Sequence, residues 1–170
     1  MKLRTNNIMN SYLSQLEYDF LVKKVELPKE LEEIVNADFL TDNDAIILKG
    51  LYKNQTNPLF NSDIEKCEWE YNETHFHPDG FIKRGDDEIE YMRFALECAK
   101  RLHERLDKNF KYKKFRLIVS FSETEKKGNE IETYGSSTVR FYQIRQGAEA
   151  RMRSEDLNDF KQEAILEIET

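Results

Sequence analysis

The sequence predicts an α+β protein of two layers, a mainly antiparallel sheet with one long helix packed across it and a helical N-terminal third alongside. Three observations carry this expectation. Residues 86–110 place Ile89, Met92, Leu96, Ala99, His103, Leu106 and Phe110 three or four apart, one apolar stripe over roughly six to seven turns. Residues 115–121 alternate Phe115, Leu117, Val119 and Phe121 with Arg116, Ile118 and Ser120, the period of a strand. Helical spacing also dominates the first third. The 170-residue length suits one domain over 1–170, a helical region 1–62 packed on an α+β core 66–169.

Met9, Leu13, Leu16 and Phe20 recur at helical spacing and predict a helix over 6–20. Leu27-Pro28 interrupts it, and Pro28 suits the first turn of a short helix through Val35. Glu30, Glu32 and Glu33 lie near its start, where the helix dipole favours carboxylates. Thr41-Asp42-Asn43-Asp44 offers a cap for a helix near 42–53, whose apolar run also fits a short strand. Residues 54–62 read as a loop. Cys67, Trp69 and Tyr71 alternate with Glu68, Glu70 and Asn72, predicting a half-buried strand. His77-Pro78-Asp79-Gly80 has turn chemistry, with Phe81-Ile82 returning as a second strand. The long helix over 86–110 begins with Asp86, Asp87, Glu88 and Glu90 and ends among Lys100, Arg101, Arg105, Lys108 and Lys111, both ends complementing its dipole. After the strand at 115–121, the polar residues 122–135 read as a long hairpin loop. Residues 138–144 supply the partner strand, 156–162 a short helix or turn, and 164–168 a final strand.

Composition narrows function. The net charge of -7 argues against non-specific binding to nucleic acid or an anionic membrane and is compatible with a basic protein partner. Cys67 and Cys98 are too few for a disulfide framework. No apolar run of signal-peptide length follows the N-terminus, and the longest apolar stretch, Ala45–Leu48, is far too short to span a bilayer. A cytoplasmic location in a reducing setting is the expectation. Glycines form no phosphate loop and serines no Gly-x-Ser-x-Gly turn, so no cofactor or catalytic residue is assigned.

Four groups could carry chemistry. His75, His77 and Asp79, with Cys67 or Glu73 as a further ligand, could begin a zinc or nickel site of a small metal-dependent enzyme, but no second ligand pair with recognisable spacing accompanies them. His103 lies on the apolar stripe of the long helix, where a histidine is more often a hydrogen-bonded core residue than a base. The segment 100–116 interleaves Lys100, Arg101, Arg105, Lys108, Lys111, Lys113, Lys114 and Arg116 with Phe110, Tyr112 and Phe115, with Arg140 and Arg145 placed near it. That composition suits a nucleic-acid-binding module; the plainer reading is a basic helix end running into a strand whose aromatics face the core. Finally, Glu68, Glu70, Glu73, Asp86, Asp87, Glu88 and Glu90 would form a negative patch if they share a face, able to steer and select a cationic protein. Trp69 and Tyr71 are aromatic types that anchor interfaces, or fill cores.

The run Phe115-Arg116-Leu117-Ile118-Val119-Ser120-Phe121, then Thr138-Val139-Arg140-Phe141-Tyr142-Gln143-Ile144-Arg145, then Asp156 to Ile168 resembles small immunity proteins of bacterial polymorphic toxin systems, including contact-dependent growth inhibition. The resemblance spans roughly residues 75–169 and lies in texture and element order. It implies a cytoplasmic protein that binds a toxin domain, often a basic nuclease, and blocks it. Immunity surfaces diverge with their toxins, so it implies no individual functional residue. The expectation is therefore a non-enzymatic inhibitor that holds a cognate toxin through the acidic residues named above. Periodicity leaves open whether the long helix packs within one chain or across a homodimer.

Overall fold

Apolar alternation in the C-terminal half builds the sheet that organises the molecule. The computed structural model describes residues 1–16, 24–51, 64–76, 88–128, 130–145 and 156–170, with the backbone alone at 65, 66, 75 and 76. The elements are β1 (Lys2–Thr5), α1 (Asn7–Gln15), α2 (Lys29–Asn36), β2 (Phe39–Asp42), β3 (Ala45–Leu48), α3 (Ile64–Tyr71), β4 (Glu73–Phe76), α4 (Ile89–Asn109), β5 (Lys114–Ser122), β6 (Glu125–Lys127), β7 (Glu130–Thr133), β8 (Ser136–Ile144) and β9 (Ala164–Glu169). Single 3-10 turns cover Lys49–Leu51 and Leu157–Asp159. The chain is α+β, and its sheets are antiparallel.

The main sheet has the order β1-β9-β5-β8-β4. β5 pairs with β8 from Lys114↔Ile144 to Ser122↔Ser136, and with β9 from Arg116↔Glu169 to Phe121↔Ala164. This register puts Phe115, Leu117, Val119, Phe121, Val139, Phe141, Ala164, Leu166 and Ile168 in one apolar cluster, which also takes Met92, Leu96, Ala99, Leu102 and Leu106 from α4. α4 contacts β5 and β8. Met9 of α1, Leu31 and Val35 of α2, and Ile46 and Leu48 of β3 enter the same cluster. A second, smaller cluster joins Ile118, Tyr142, Leu157 and Ile165, with Trp69 and Phe160 against it. Ile118, read as a polar-side position of its strand, is buried there because the sheet has apolar cover at this point too.

The N-terminal third is mixed rather than helical. β1 lies on the sheet edge beside β9, Lys2↔Glu169 to Thr5↔Leu166. Asn6 links this strand to α1. Its side-chain oxygen accepts from the backbone N–H of Met9 at 2.9 Å and of Ile165 at 3.0 Å, and its amide donates to the Glu163 carbonyl at 2.7 Å. One buried residue thereby caps a helix and fastens it to β9.

In place of a helix near 42–53 stands the β2–β3 hairpin, Phe39↔Leu48 to Asp42↔Ala45. Its two turn residues, Asn43 and Asp44, both have positive φ, 45° and 69°. Asn and Asp tolerate that conformation, and a two-residue turn of this hand matches the twist of its strands. The Thr-Asp-Asn-Asp run that resembled a helix cap is this turn. Residues 122–135, expected as a loop, contain a hairpin of their own, β6–β7, with a register shift between Glu125 and Lys126.

The largest correction falls at Cys67–Asn72, which is helix α3 and its end rather than a strand. Cys67, Glu68 and Asn72 are all buried, and Glu68 and Asn72 are four residues apart, the spacing of one helical face. The inward face is partly polar, so the apolar residues alone gave a false period. The expected strand at Phe81-Ile82 and turn at 77–80 lie outside the described residues. No helix among the described residues is long and apolar enough to cross a membrane.

Candidate functional site

Glu68 and Asn72 show what α3 does. The backbone groups of Ile46 and Leu48 form the edge of β3 that α3 meets. Asn72 completes that edge as another strand would: its oxygen accepts from the Leu48 N–H at 2.8 Å and its amide donates to the Ile46 carbonyl at 2.7 Å. Glu68 Oε1 accepts from the Ile46 N–H at 2.7 Å, and Oε2 from the Gln143 N–H at 2.7 Å, beyond the end of β4. Arg145 supplies two further donors, one to each carboxylate oxygen at 2.9 Å. Glu68 is 0% exposed, and its four acceptor positions are filled. A carboxylate removed from water costs several kcal/mol, roughly, unless paired and fully hydrogen-bonded; this one is both. It clasps the β2–β3 hairpin to β8 and is enclosed, so it cannot meet a partner protein.

The other described members of the expected acidic patch do not form one face. Glu70 is exposed. Glu73 on β4 pairs with Arg140, whose guanidinium lies 4.8 Å from the Trp69 ring centroid. Glu90 pairs with Arg93 one turn along α4. Glu88 accepts from the Thr124 N–H at 2.9 Å and from the Thr124 hydroxyl. Asp86 and Asp87 lie outside the described residues. The patch, as far as it is described, is therefore divided among separate internal contacts. Trp69 packs on Tyr142 with ring centroids 5.7 Å apart, a core role.

The basic segment is dismantled in the same way. Arg101 donates to Glu97 at 2.8 Å and Glu32 at 3.1 Å. Arg105 donates to the carbonyls of Val35 and Ala37 at the end of α2, and its guanidinium lies over Phe39. Lys113 pairs with Asp44 and donates to Gln143. Arg116 pairs with Glu169 and lies 3.5 Å from Glu167. Phe115 is buried and Phe110 packs against it. Exposed Lys108, Lys111, Tyr112 and Lys114 remain around the α4–β5 turn. These arginines and Lys113 hold helices and strands together.

Two further carboxylates are buried: Glu97, and Glu167, whose alternation with Ile168 and Glu169 predicts a solvated sheet face instead. Glu97 on α4 receives Arg101 and the Val25 N–H. Glu167 on β9 receives Arg4 at 3.3 Å, and its Oε2 has no hydrogen-bond partner. The signal that could have found Glu167 is its neighbour set: the register places it beside Arg4 and one residue pair from Arg116. Both lie in elements whose apolar residues alone set the pattern.

For a metal, His75 is on β4 with its backbone alone described, and His77 and Asp79 lie outside the described residues. Cys67 is buried in α3. No three His, Cys, Asp or Glu side chains converge among the described residues. His103 is half-buried with an unpartnered Nε2, and burial holds its imidazole below the ordinary histidine value. Burial likewise pushes the Cys98 thiol up to about 12.

Every arginine among the described residues is engaged by another group of the chain: Arg4, Arg93, Arg101, Arg105, Arg116, Arg140 and Arg145. Among the described residues exposed carboxylates outnumber exposed lysines, notably Glu30, Glu32 and Glu33 on α2 and Glu125, Glu130 and Glu132 on the β6–β7 hairpin. The class so defined is an α+β protein with an antiparallel sheet, buried arginine–carboxylate clasps and an outward excess of negative charge. The model of the Uncharacterized protein PM0498 family matches residues 4–170, and the chain belongs to that family. No curated protein and no solved structure matches it.

Proposed function

We propose that the protein is a non-enzymatic binding protein that neutralises a basic partner, acting in the cytoplasm as small immunity proteins do against toxin domains. One observation carries the reading: among the described residues the arginines are engaged within the fold and the exposed carboxylates outnumber the exposed lysines, so the surface these residues present is negative. Such a field accelerates encounter with a cationic protein and disfavours nucleic acid. On α3, Glu70 is exposed, whereas Glu68 is enclosed.

The test is pairwise calorimetry of the purified protein against each protein encoded beside its gene, at low and raised salt. The expected result is one basic domain bound at a 1:1 ratio, with association slowing as salt rises. Absence of binding to any of them, or binding indifferent to salt, would sink the reading.

A further inference from the structure

We propose that the β6–β7 hairpin is the docking arm for that basic protein, with Ile131 and Tyr134 as its apolar anchors. The inference rests on the reading above and assigns it a surface. All residues described in β6 and β7 are exposed. A two-stranded hairpin is only marginally stable alone, yet this one has a constructed base. Glu88 at the start of α4 accepts from the Thr124 N–H at 2.9 Å and from its hydroxyl, and that hydroxyl accepts from the Gly135 N–H at 2.8 Å. Tyr12 of α1 donates to Glu123 at 2.6 Å. The arm is thus held to two helices at its root while its strands stand in solvent.

What the arm presents is not what folding alone asks of it. Ile131 is 43% exposed and Tyr134 62% exposed, and neither contributes to either apolar cluster. Around them stand Glu125, Glu130 and Glu132, with Lys126 directly across from Ile131 and Lys127 across from Glu130 and 3.6 Å from Glu132. Charged residues along free strand edges discourage pairing between copies. An aliphatic and an aromatic side chain on a hairpin where the exposed carboxylates Glu123, Glu125, Glu130 and Glu132 outnumber the exposed lysines Lys126 and Lys127 suit a protein surface that offers an apolar pocket with a net positive rim. The exposed Tyr112 turn carries Lys108, Lys111 and Lys114 instead, the wrong sign for a basic partner, and serves as the control.

The test uses the full chain and, as probes, the purified basic domains encoded beside its gene. Ile131→Ser with Tyr134→Ala should weaken binding about a hundredfold or more, the loss of two anchor contacts. A triple variant, Glu125→Gln, Glu130→Gln and Glu132→Gln, should slow association and flatten its salt dependence. Tyr112→Ala should change neither. Thermal midpoints should match the parent chain, because the altered side chains are exposed. In the complex of the unaltered chain, amide exchange should slow in β6 and β7. Undiminished binding by both arm variants, or protection confined to other elements, would overturn the inference and leave the binding function standing. Failure of every probe to bind the parent chain would overturn both. A parent chain that runs as a dimer, made monomeric by the Ile131/Tyr134 change, would assign the arm to a second copy and overturn the inference.

Discussion

Arg145 grips both oxygens of Glu68 at 2.9 Å across 77 residues of chain. The same guanidinium donates to the Asp44 carbonyl at 2.9 Å. Three elements remote in sequence therefore meet at one buried carboxylate: α3, the β2–β3 turn and the end of β8.

Removing either partner should be costly. Glu68→Gln leaves Arg145 with only the exposed Asp44 carboxylate, 3.5 Å away, as counter-charge, and Arg145→Met leaves a buried carboxylate unpaired. Each should lower stability by about 3–5 kcal/mol, read as a lower denaturation midpoint in urea. The double variant Glu68→Gln/Arg145→Met should cost less than the two single effects combined, because it leaves no uncompensated charge. Additive losses would contradict the pairing.

Asn6 is expected to be irreplaceable by its nearest relatives. Asn6→Ala removes a helix cap and strands the Ile165 N–H, at about 2 kcal/mol or more. Asn6→Asp keeps both acceptors but points a carboxylate at the Glu163 carbonyl, which the amide now satisfies at 2.7 Å. Thermal unfolding should rank the native chain above both variants. Equality of Asp with Asn would show that the donor contact is immaterial.

Gly135 has no room for a side chain. A Cβ there would lie 2.6 Å from Glu88 Oε2 and 2.9 Å from the Thr124 nitrogen. Gly135→Ala should therefore open the root of the arm, seen as faster amide exchange at Thr124 and Gly135 with the β5–β8 pairing unchanged. Unaltered exchange at the root would mean that Glu88 yields without consequence.

Two titrations should shape the acid side of the stability profile. Burial lowers the His103 value in the folded protein, with the N-terminal charge acting the same way and Asp107 and Glu104 opposing. The unfolded chain then takes up its proton first, so stability present above about pH 6.5 declines as pH falls through the window beneath it. His103→Gln should flatten that window. At lower pH, burial raises the Glu169 value, but hydrogen bonding and charge from Arg116 outweigh it, and the net value is lowered. Its contribution, full above about pH 4.3, is lost as pH falls through the lower folded value. Arg116→Gln should remove this second decline and spare the first; chemical denaturation across pH separates them.

What could be read from sequence was what water enforces. The α4 stripe and the alternation of β5, β8 and β9 stand out because burial selects apolar residues at the period of the element. α3 was misread because Glu68 and Asn72 occupy its buried face, their partners being backbone groups and a distant arginine that no local pattern reveals. β1 and β4 are four residues each and largely polar, too short for a period to emerge. The β2–β3 turn shares its residue types with a helix cap. The placement of the acidic residues was hard to read for a related cause. A count of carboxylates does not distinguish those that clasp strands from those that face solvent, and the hairpin that does face solvent was hidden in a stretch read as loop.

β9 lies inside the sheet, between β1 and β5, although Arg4 of β1 and Glu167 of β9 are 163 residues apart. During synthesis β1 therefore has no neighbour in this sheet until β9 emerges from the ribosome. Pairings of such wide sequence separation close slowly, and meanwhile the β5 edge stands open to other nascent chains. Slow completion of folding, and a need for chaperone cover over that interval, follow from the position of this one strand.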